Sequence, residues 1–251
     1  RGSLTMIRNV IACVLLGLPT IAFAAGGGGH VEHVDADISN EASVQRGAKY
    51  FVNYCLGCHS AQYVRYNRLA VDLELTEDQL VENLMFTGER PHDTMENAIP
   101  ATDSANWFGR TPPDLSLTAR ARGDDWVYSF LKSFYVDPSK PTGVNNLVLE
   151  GASMPHVLWE LQGIQKAVYR TDLDAQGSPH EVFDHFELVQ PGTMTPEQFD
   201  VMAQDLTTFL TYISEPAQLK RRSLGIKVIL FLVVLFLFSF LYKKELWKDV
   251  H

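Results

Sequence analysis

"NYCLGCHS", residues 53–60, sets two cysteines three apart with a histidine directly after the second. The chain of 251 residues has three cysteines, and Cys13 falls in an apolar N-terminal segment, so Cys55 and Cys58 stand as an isolated pair. A disulfide framework needs more cysteines than this. A structural zinc site needs four ligands, and no second Cys or His pair follows at finger-like spacing. A thioredoxin-like redox pair calls for a βαβ setting that the flanking sequence lacks. A plain disulfide across two residues is tight and leaves His59 without a use. Covalent attachment of one c-type haem uses every residue: each thiol adds to one vinyl group, and the His59 imidazole sits beneath the iron as its proximal ligand.

Working outward, Ser39-Asn40 are caps for a helix that carries Val44, Ala48, Phe51, Val52 and Cys55 on one face and ends in the haem motif. Thr76 and Gln79 have capping-box spacing ahead of Leu80, Leu84 and Met85. Asp124 or Asp125 opens the aromatic-rich "DWVYSFLKSFY". The clearest helix is "TPEQFDVMAQDLTTFLTYISEP", with a box at Thr195 and Gln198, Pro196 at its first position and Pro216 past its end. Its Phe199, Met202, Leu206, Phe209, Leu210 and Ile213 form a core face. Stretches 89–123 and 136–194, heavy in Pro, Gly, Asp and Asn, read as loops folded around something, with no strand ladder and no repeat. Haem supplies that something.

The two ends belong to targeting and membrane. "MIRNVIACVLLGLPTIAFAA", residues 6–25, has a basic start, an apolar stretch and the Ala22-Phe23-Ala24 form of a cleavage site. "GIKVILFLVVLFLFSFLY", residues 225–242, is a membrane anchor with Lys243 and Lys244 behind it. The expected division is therefore 1–24 as upstream residues and signal peptide, 25–38 as a flexible or extended leader, and 39–215 as a monohaem domain. A basic linker at 216–223, a transmembrane helix at 224–242 and a cytoplasmic tail at 243–251 follow. The export signal sets the haem domain in the periplasm, with one pass through a bacterial inner membrane; Lys220-Arg221-Arg222 then lie on the outer side, against the positive-inside tendency. Residues 25–215 hold 12 Lys and Arg against 28 Asp and Glu, 12 − 28 = −16. So acidic a domain repels nucleic acid, and its charge serves either to attract a basic partner or simply to keep the domain soluble.

Several stretches together resemble cytochrome c1, the haem subunit of the cytochrome bc1 complex. "RGAKYFVNYCLGCHS" looks like that family's N-terminal haem helix, and "TPPDLSLTARARGDDWVYSFL" like its Pro-Pro-Asp-Leu-Ser segment with the arginines behind it. "PTGVNN" looks like another family loop, and a capped helix ending in "SEP" before a basic cluster and a single anchor completes the order. The resemblance implies a mainly α, class I c-type cytochrome fold with long loops around one haem, plus one C-terminal transmembrane helix. It implies thioethers at Cys55 and Cys58, iron ligation by His59, propionate contact by Arg120, and Pro112 and Pro113 shaping the pocket. Arg122 is a second guanidinium of the same kind, either a further propionate donor or a surface arginine.

The family's sixth ligand precedes a proline-containing segment, which here is Met154-Pro155-His156 where mitochondrial members read Met-Ala-Pro-Pro. Met154 is thus the expected axial thioether, with Met194 as its competitor and His156 as a rival imidazole; Met85 and Met202 read as core and Met95 as a loop residue. The implied role is single-electron transfer from the Rieske iron-sulfur protein to a basic soluble or membrane-bound cytochrome c, beside cytochrome b in a dimeric quinol-oxidising complex, with no stand-alone catalysis. An anchored monohaem cytochrome serving a terminal oxidase or reductase, or a haem sensor or peroxidase with an open iron face, are the alternatives.

Overall fold

A computed structural model describes residues 31–173 and 177–249. The signal peptide expected at 1–24 and the Gly26–Gly29 run lie outside the described residues. Helix α1 (Glu41–Tyr50) starts where Asn40 accepts a hydrogen bond from the Ser43 amide. It continues into a π-helical turn at Phe51–Cys55. Then come β1 (Ala61–Arg65), α2 (Tyr66–Asp72), α3 (Glu77–Asn83), β2 (Thr94–Met95), α4 (Ala101–Phe108) and α5 (Thr118–Arg122). The next elements are α6 (Asp124–Lys132), β3 (Phe134–Val136), β4 (Val144–Asn146) and α7 (Trp159–Gln162). The chain then runs through β5 (Gly163–Leu173), β6 (Pro179–Pro191), α8 (Pro196–Ser214) and α9 (Gln218–Leu246). Both capping boxes are complete: Thr76 and Gln79 exchange bonds at the start of α3, and Thr195 and Gln198 do so at α8.

The core forms where α1 crosses α8. Gly47 makes the crossing possible, because a Cβ there would lie 2.1 Å from the Asp205 carbonyl oxygen and 2.6 Å from the Phe209 Cβ. Close by, Asp205 is buried and takes two charge-assisted hydrogen bonds from Arg46, at 2.6 and 2.7 Å, and one from the Ser43 hydroxyl at 2.6 Å. Removing Arg46 strands the buried Asp205 carboxylate, the costly way to break such a pair, at about 3–5 kcal/mol where both partners are buried and less here because Arg46 is half exposed. One turn further on, Phe51 meets Phe209 with ring centroids 5.2 Å apart. The end of α1, and with it the haem motif, is thereby fixed on the longest soluble helix.

Tertiary contacts begin before Ser39. Within the segment read as a leader, the Glu32 and Val34 amides bond to Ser129 and Asp125 of α6, and the Glu32 carboxylate pairs with Lys132 at 2.7 Å. Asp200 of α8 reaches the same ammonium at 2.8 Å, so one lysine ties leader, α6 and α8 together.

The expectation that 136–194 lacks a strand ladder is corrected: β5 and β6 form a long antiparallel hairpin. Two register shifts, at Ile164/Gln165 and Val168/Tyr169, reset the alternation of side chains and so hide the period of two. Aromatic contacts stiffen it instead, with Phe183 and Phe186 at 4.8 Å and Tyr135 of β3 against Phe186 at 6.4 Å. Stretch 89–123, read mainly as loops, holds the short helices α4 and α5. Helix α9 begins at Gln218, inside the expected basic linker, and its 29 residues at about 1.5 Å each extend for roughly 43 Å. Its apolar side chains are exposed along the whole length, as befits a helix long and apolar enough to cross a membrane.

Candidate functional site

The π-helical turn ends at Cys55 and leads directly into the motif. The Leu56 amide bonds to the Phe51 carbonyl, five residues back, at 2.9 Å. The Cys58 and His59 amides then both bond to the Cys55 carbonyl, at 3.0 and 2.8 Å. One tight turn thus gathers both thiols and the imidazole, and insertions of this kind in helices recur at functional sites. Cys55 and Cys58 are free thiols, Cys55 buried and Cys58 half-buried. Burial pushes the Cys55 thiol up to about 12, with the nearby Cys58 adding to the shift.

His59 Nδ1 lies 2.7 Å from the Pro113 carbonyl oxygen. A carbonyl can only accept, so Nδ1 carries the proton and the Nε2 lone pair is left for a metal. Burial lowers the His59 pKa while the Pro113 bond opposes the shift, which keeps the ring neutral and competent as a ligand. Pro113 itself is held in place: the Leu115 amide bonds to the Ser60 carbonyl at 2.8 Å, and Asp114 accepts from the Gln62 and Ser116 amides, both at 2.9 Å.

A further fastener went unread in the sequence. Pairing of Ala61 in β1 with Met95 in β2 carries the chain after β2 back past the motif. There the Asn97 side-chain amide donates to the Cys58 carbonyl at 2.8 Å and to the Ser60 hydroxyl at 3.0 Å, while its oxygen accepts from the Ile99 amide. An asparagine in a Pro- and Asp-rich loop has no periodic signature. Only the strand pairing reveals its target.

The other expected residues fall as follows. Met95 and Met202 are buried in the core, and Met85 and Met194 pack against it. Met95 is therefore a strand residue of the core and not part of a loop. Met154 is half-buried and belongs to neither core cluster. Two residues on, His156 is buried and stacked on Phe134 at 5.2 Å, yet neither ring nitrogen has a hydrogen-bond partner. Burial lowers its pKa to about 4, and Gln162 and Gly163 lie near enough to oppose this without reaching hydrogen-bond geometry. The Gln162 Oε1 is unpartnered as well. The three atoms are buried polar groups without a partner among the described residues. Arg120 is exposed on α5, and its charge adds to that of Arg221 in holding the Glu215 carboxyl below its usual range. The Arg122 guanidinium lies over the Trp126 ring, 5.0 Å from its centroid, and Trp126 stacks on Phe130 at 5.2 Å. Pro112 is half-buried beside Pro113.

A neutral, carbonyl-anchored imidazole and two free thiols gathered in one turn suit a haem attached from the Cys55–His59 side. Among the described residues no group of three or more His, Cys, Asp or Glu is arranged to hold a metal ion.

The family model described as "Cytochrome C1 family" matches residues 36–250. The chain is similar to cytochrome c1 of Allochromatium vinosum, 48% identical over 246 residues that cover 98% of this chain and 100% of that protein. It is also similar to a protein named ammonia monooxygenase gamma subunit in Nitrosomonas europaea, 40% identical over 246 residues, covering 98% and 99%. A third relative, the cytochrome b-c1 complex catalytic subunit of Candida albicans, is 29% identical over 232 residues, covering 84% and 73%.

The Asn97 contacts generate a test. Asn97→Leu strands the part-buried Cys58 carbonyl and should destabilise the domain by about 1–3 kcal/mol, which for this size lowers Tm by about 2–4 °C per kcal/mol. The Ile99 amide should exchange faster in hydrogen-exchange measurements, whereas Asn97→Asp keeps that acceptor and its protection while still losing the donor to Cys58. A leucine variant with unchanged Tm and unchanged Ile99 protection contradicts the assignment.

Proposed function

The chain belongs to the cytochrome c1 family, and on that premise we propose that it is the membrane-anchored electron-transfer subunit of a quinol-oxidising cytochrome bc1 complex, taking single electrons from a Rieske iron-sulfur protein and passing them to a cytochrome c. The observation that carries the reading is the His59 imidazole locked by Pro113 at the end of a Cys-x-x-Cys-His turn. Haem, when bound, supplies a one-electron ferric and ferrous couple that needs no bond to be made or broken in the substrate.

The rest is the work of this chain's own groups. Cys55 and Cys58 hold the group covalently through two thioethers. Before attachment, the buried Cys55 remains a protonated thiol and so resists oxidation. His59 offers Nε2 while Pro113, Asp114, Ser60 and Asn97 keep the ring from turning. A ligand oriented in advance by its neighbours does not have to reorganise when charge arrives or leaves, and that lowers the barrier to transfer. Met154 would offer the iron a second protein ligand, a soft thioether that favours the ferrous state and raises the potential. Arg120 supplies a guanidinium for a propionate, with Pro112 and Pro113 at the pocket wall.

The acidic domain over 39–215 faces a basic cytochrome c, and α9 packs beside cytochrome b in a dimeric assembly. A signal peptide at 1–24 and a leader over 25–38 precede that domain, and the tail at 243–251 ends in the cytoplasm. The haem domain then stands in the periplasm of a bacterial inner membrane. The chain performs no stand-alone catalysis; the chemistry of quinol oxidation belongs to the assembly.

Purification of the native complex in mild detergent tests this directly. A b-type haem and an iron-sulfur subunit should copurify with the chain in a preparation that oxidises quinol, whereas the chain isolated alone with an oxidase would overturn the reading. Met154→Leu in the same complex should keep haem on the polypeptide and lower its reduction potential by on the order of a few tenths of a volt, within the roughly 0.8 V that axial ligands span. It should also open the reduced form to carbon monoxide. If Met154→Leu leaves both unchanged and Met194→Leu or His156→Ala alters them, the ligand is assigned wrongly.

A further inference from the structure

Three cations, Lys220, Arg221 and Arg222, crowd the first turns of α9. Both general rules for such a position oppose them. The positive end of the helix dipole repels cations there, and the charge collects on the same side of the anchor as the exported domain. Of the three, only Arg221 makes an ion pair among the described residues, with both oxygens of Glu215.

Next to Lys220 a cleft of about 170 Å³ opens where the domain meets the anchor. Its apolar walls are Ile38, Val44 and Leu73, and Leu219 stands at its edge. It holds charges of both signs. Lys220 and Arg68 lie on its lining with Glu41 and Asp72. Asp72 accepts through one oxygen, Oδ2, from Arg68 Nε at 2.6 Å and from the Tyr212 hydroxyl at 2.8 Å. Arg68 therefore keeps its terminal amino groups for a second acceptor. Lys220 is exposed and makes no ion pair among the described residues, and Glu41 is an exposed carboxylate in the first turn of α1.

From Leu224 to Tyr242 α9 is apolar apart from Lys227 near its start, so a bilayer crossed by that stretch puts this cleft at the level of the lipid headgroups on the domain side. We propose that it binds one phospholipid whose headgroup carries a phosphodiester and a primary ammonium. The phosphodiester sits between Lys220 and Arg68, the ammonium against Glu41, and the glycerol and first methylenes on the apolar walls. Charge complementarity selects this occupant: a purely anionic headgroup leaves Glu41 opposed, and a free phosphate leaves the apolar wall in water. The proposal requires that α9 cross a bilayer and is independent of the electron-transfer reading.

Native mass spectrometry of the full-length chain in its complex, stripped of lipid and then titrated with phosphatidylethanolamine, phosphatidylglycerol or inorganic phosphate, reads the site. One phosphatidylethanolamine should be retained more tightly than phosphatidylglycerol, with no phosphate adduct. Lys220→Gln and Glu41→Gln, both at exposed positions, should each weaken retention by about tenfold, the scale of one charge-assisted contact. Equal retention of phosphatidylglycerol, a phosphate adduct that competes with lipid, or variants that hold lipid as tightly as the parent each overturn the proposal.

Discussion

The crossing of α1 and α8 at Gly47 is the constraint on which the rest depends. The two backbones approach so closely that no side chain fits between them, and Asp205 fixes the register by binding Arg46 and Ser43 at the same point. With α1 so held, the π-helical turn that follows has one place to end. Cys55, Cys58 and His59 are then presented to the β1–β2 ladder and to the segment at Pro113, whose bonds finish the orientation of the imidazole. Sequence dictates the crossing, the crossing aims the turn, and the turn sets the chemistry.

The same fold divides its charge. The domain over 25–215 carries −16, and cations gather where α9 leaves it. An acidic body beside an anionic membrane surface would be repelled by it, and the cations at the start of α9 would offset that repulsion locally. Lys132 performs a related task inside the domain, where Glu32, Asp200 and the Tyr128 hydroxyl converge on one ammonium and fasten the leader across α6 and α8. Desolvation alone would lower its pKa, but these partners raise it, so the clasp stays charged through the physiological range.

What could be read from the sequence follows from what each feature demands. The Cys-x-x-Cys-His spacing of Cys55, Cys58 and His59 is legible without coordinates, and the structure gathers the three residues in one turn. Capping boxes are legible for the same reason: Thr76 with Gln79 and Thr195 with Gln198 are local exchanges three residues apart. Pro113 came only through a family likeness, and its backbone carbonyl, the atom that matters, has no sequence signature at all. Asn97 was invisible because its target lies across a strand pairing, and the β5–β6 hairpin because two bulges erase its alternation. The methionines were sorted by burial, which periodicity foresaw for Met202 and missed for Met95.

The central claim is that the Cys55–His59 turn carries a haem bound through both thiols. Mass spectrometry of the peptide spanning residues 53–60, released from the native protein by proteolysis under denaturing conditions, tests it most directly. The account predicts one peptide bearing the mass of one haem, with neither cysteine open to thiol alkylation. Recovery of that peptide at its unmodified mass, with Cys55 and Cys58 both alkylated, would contradict it.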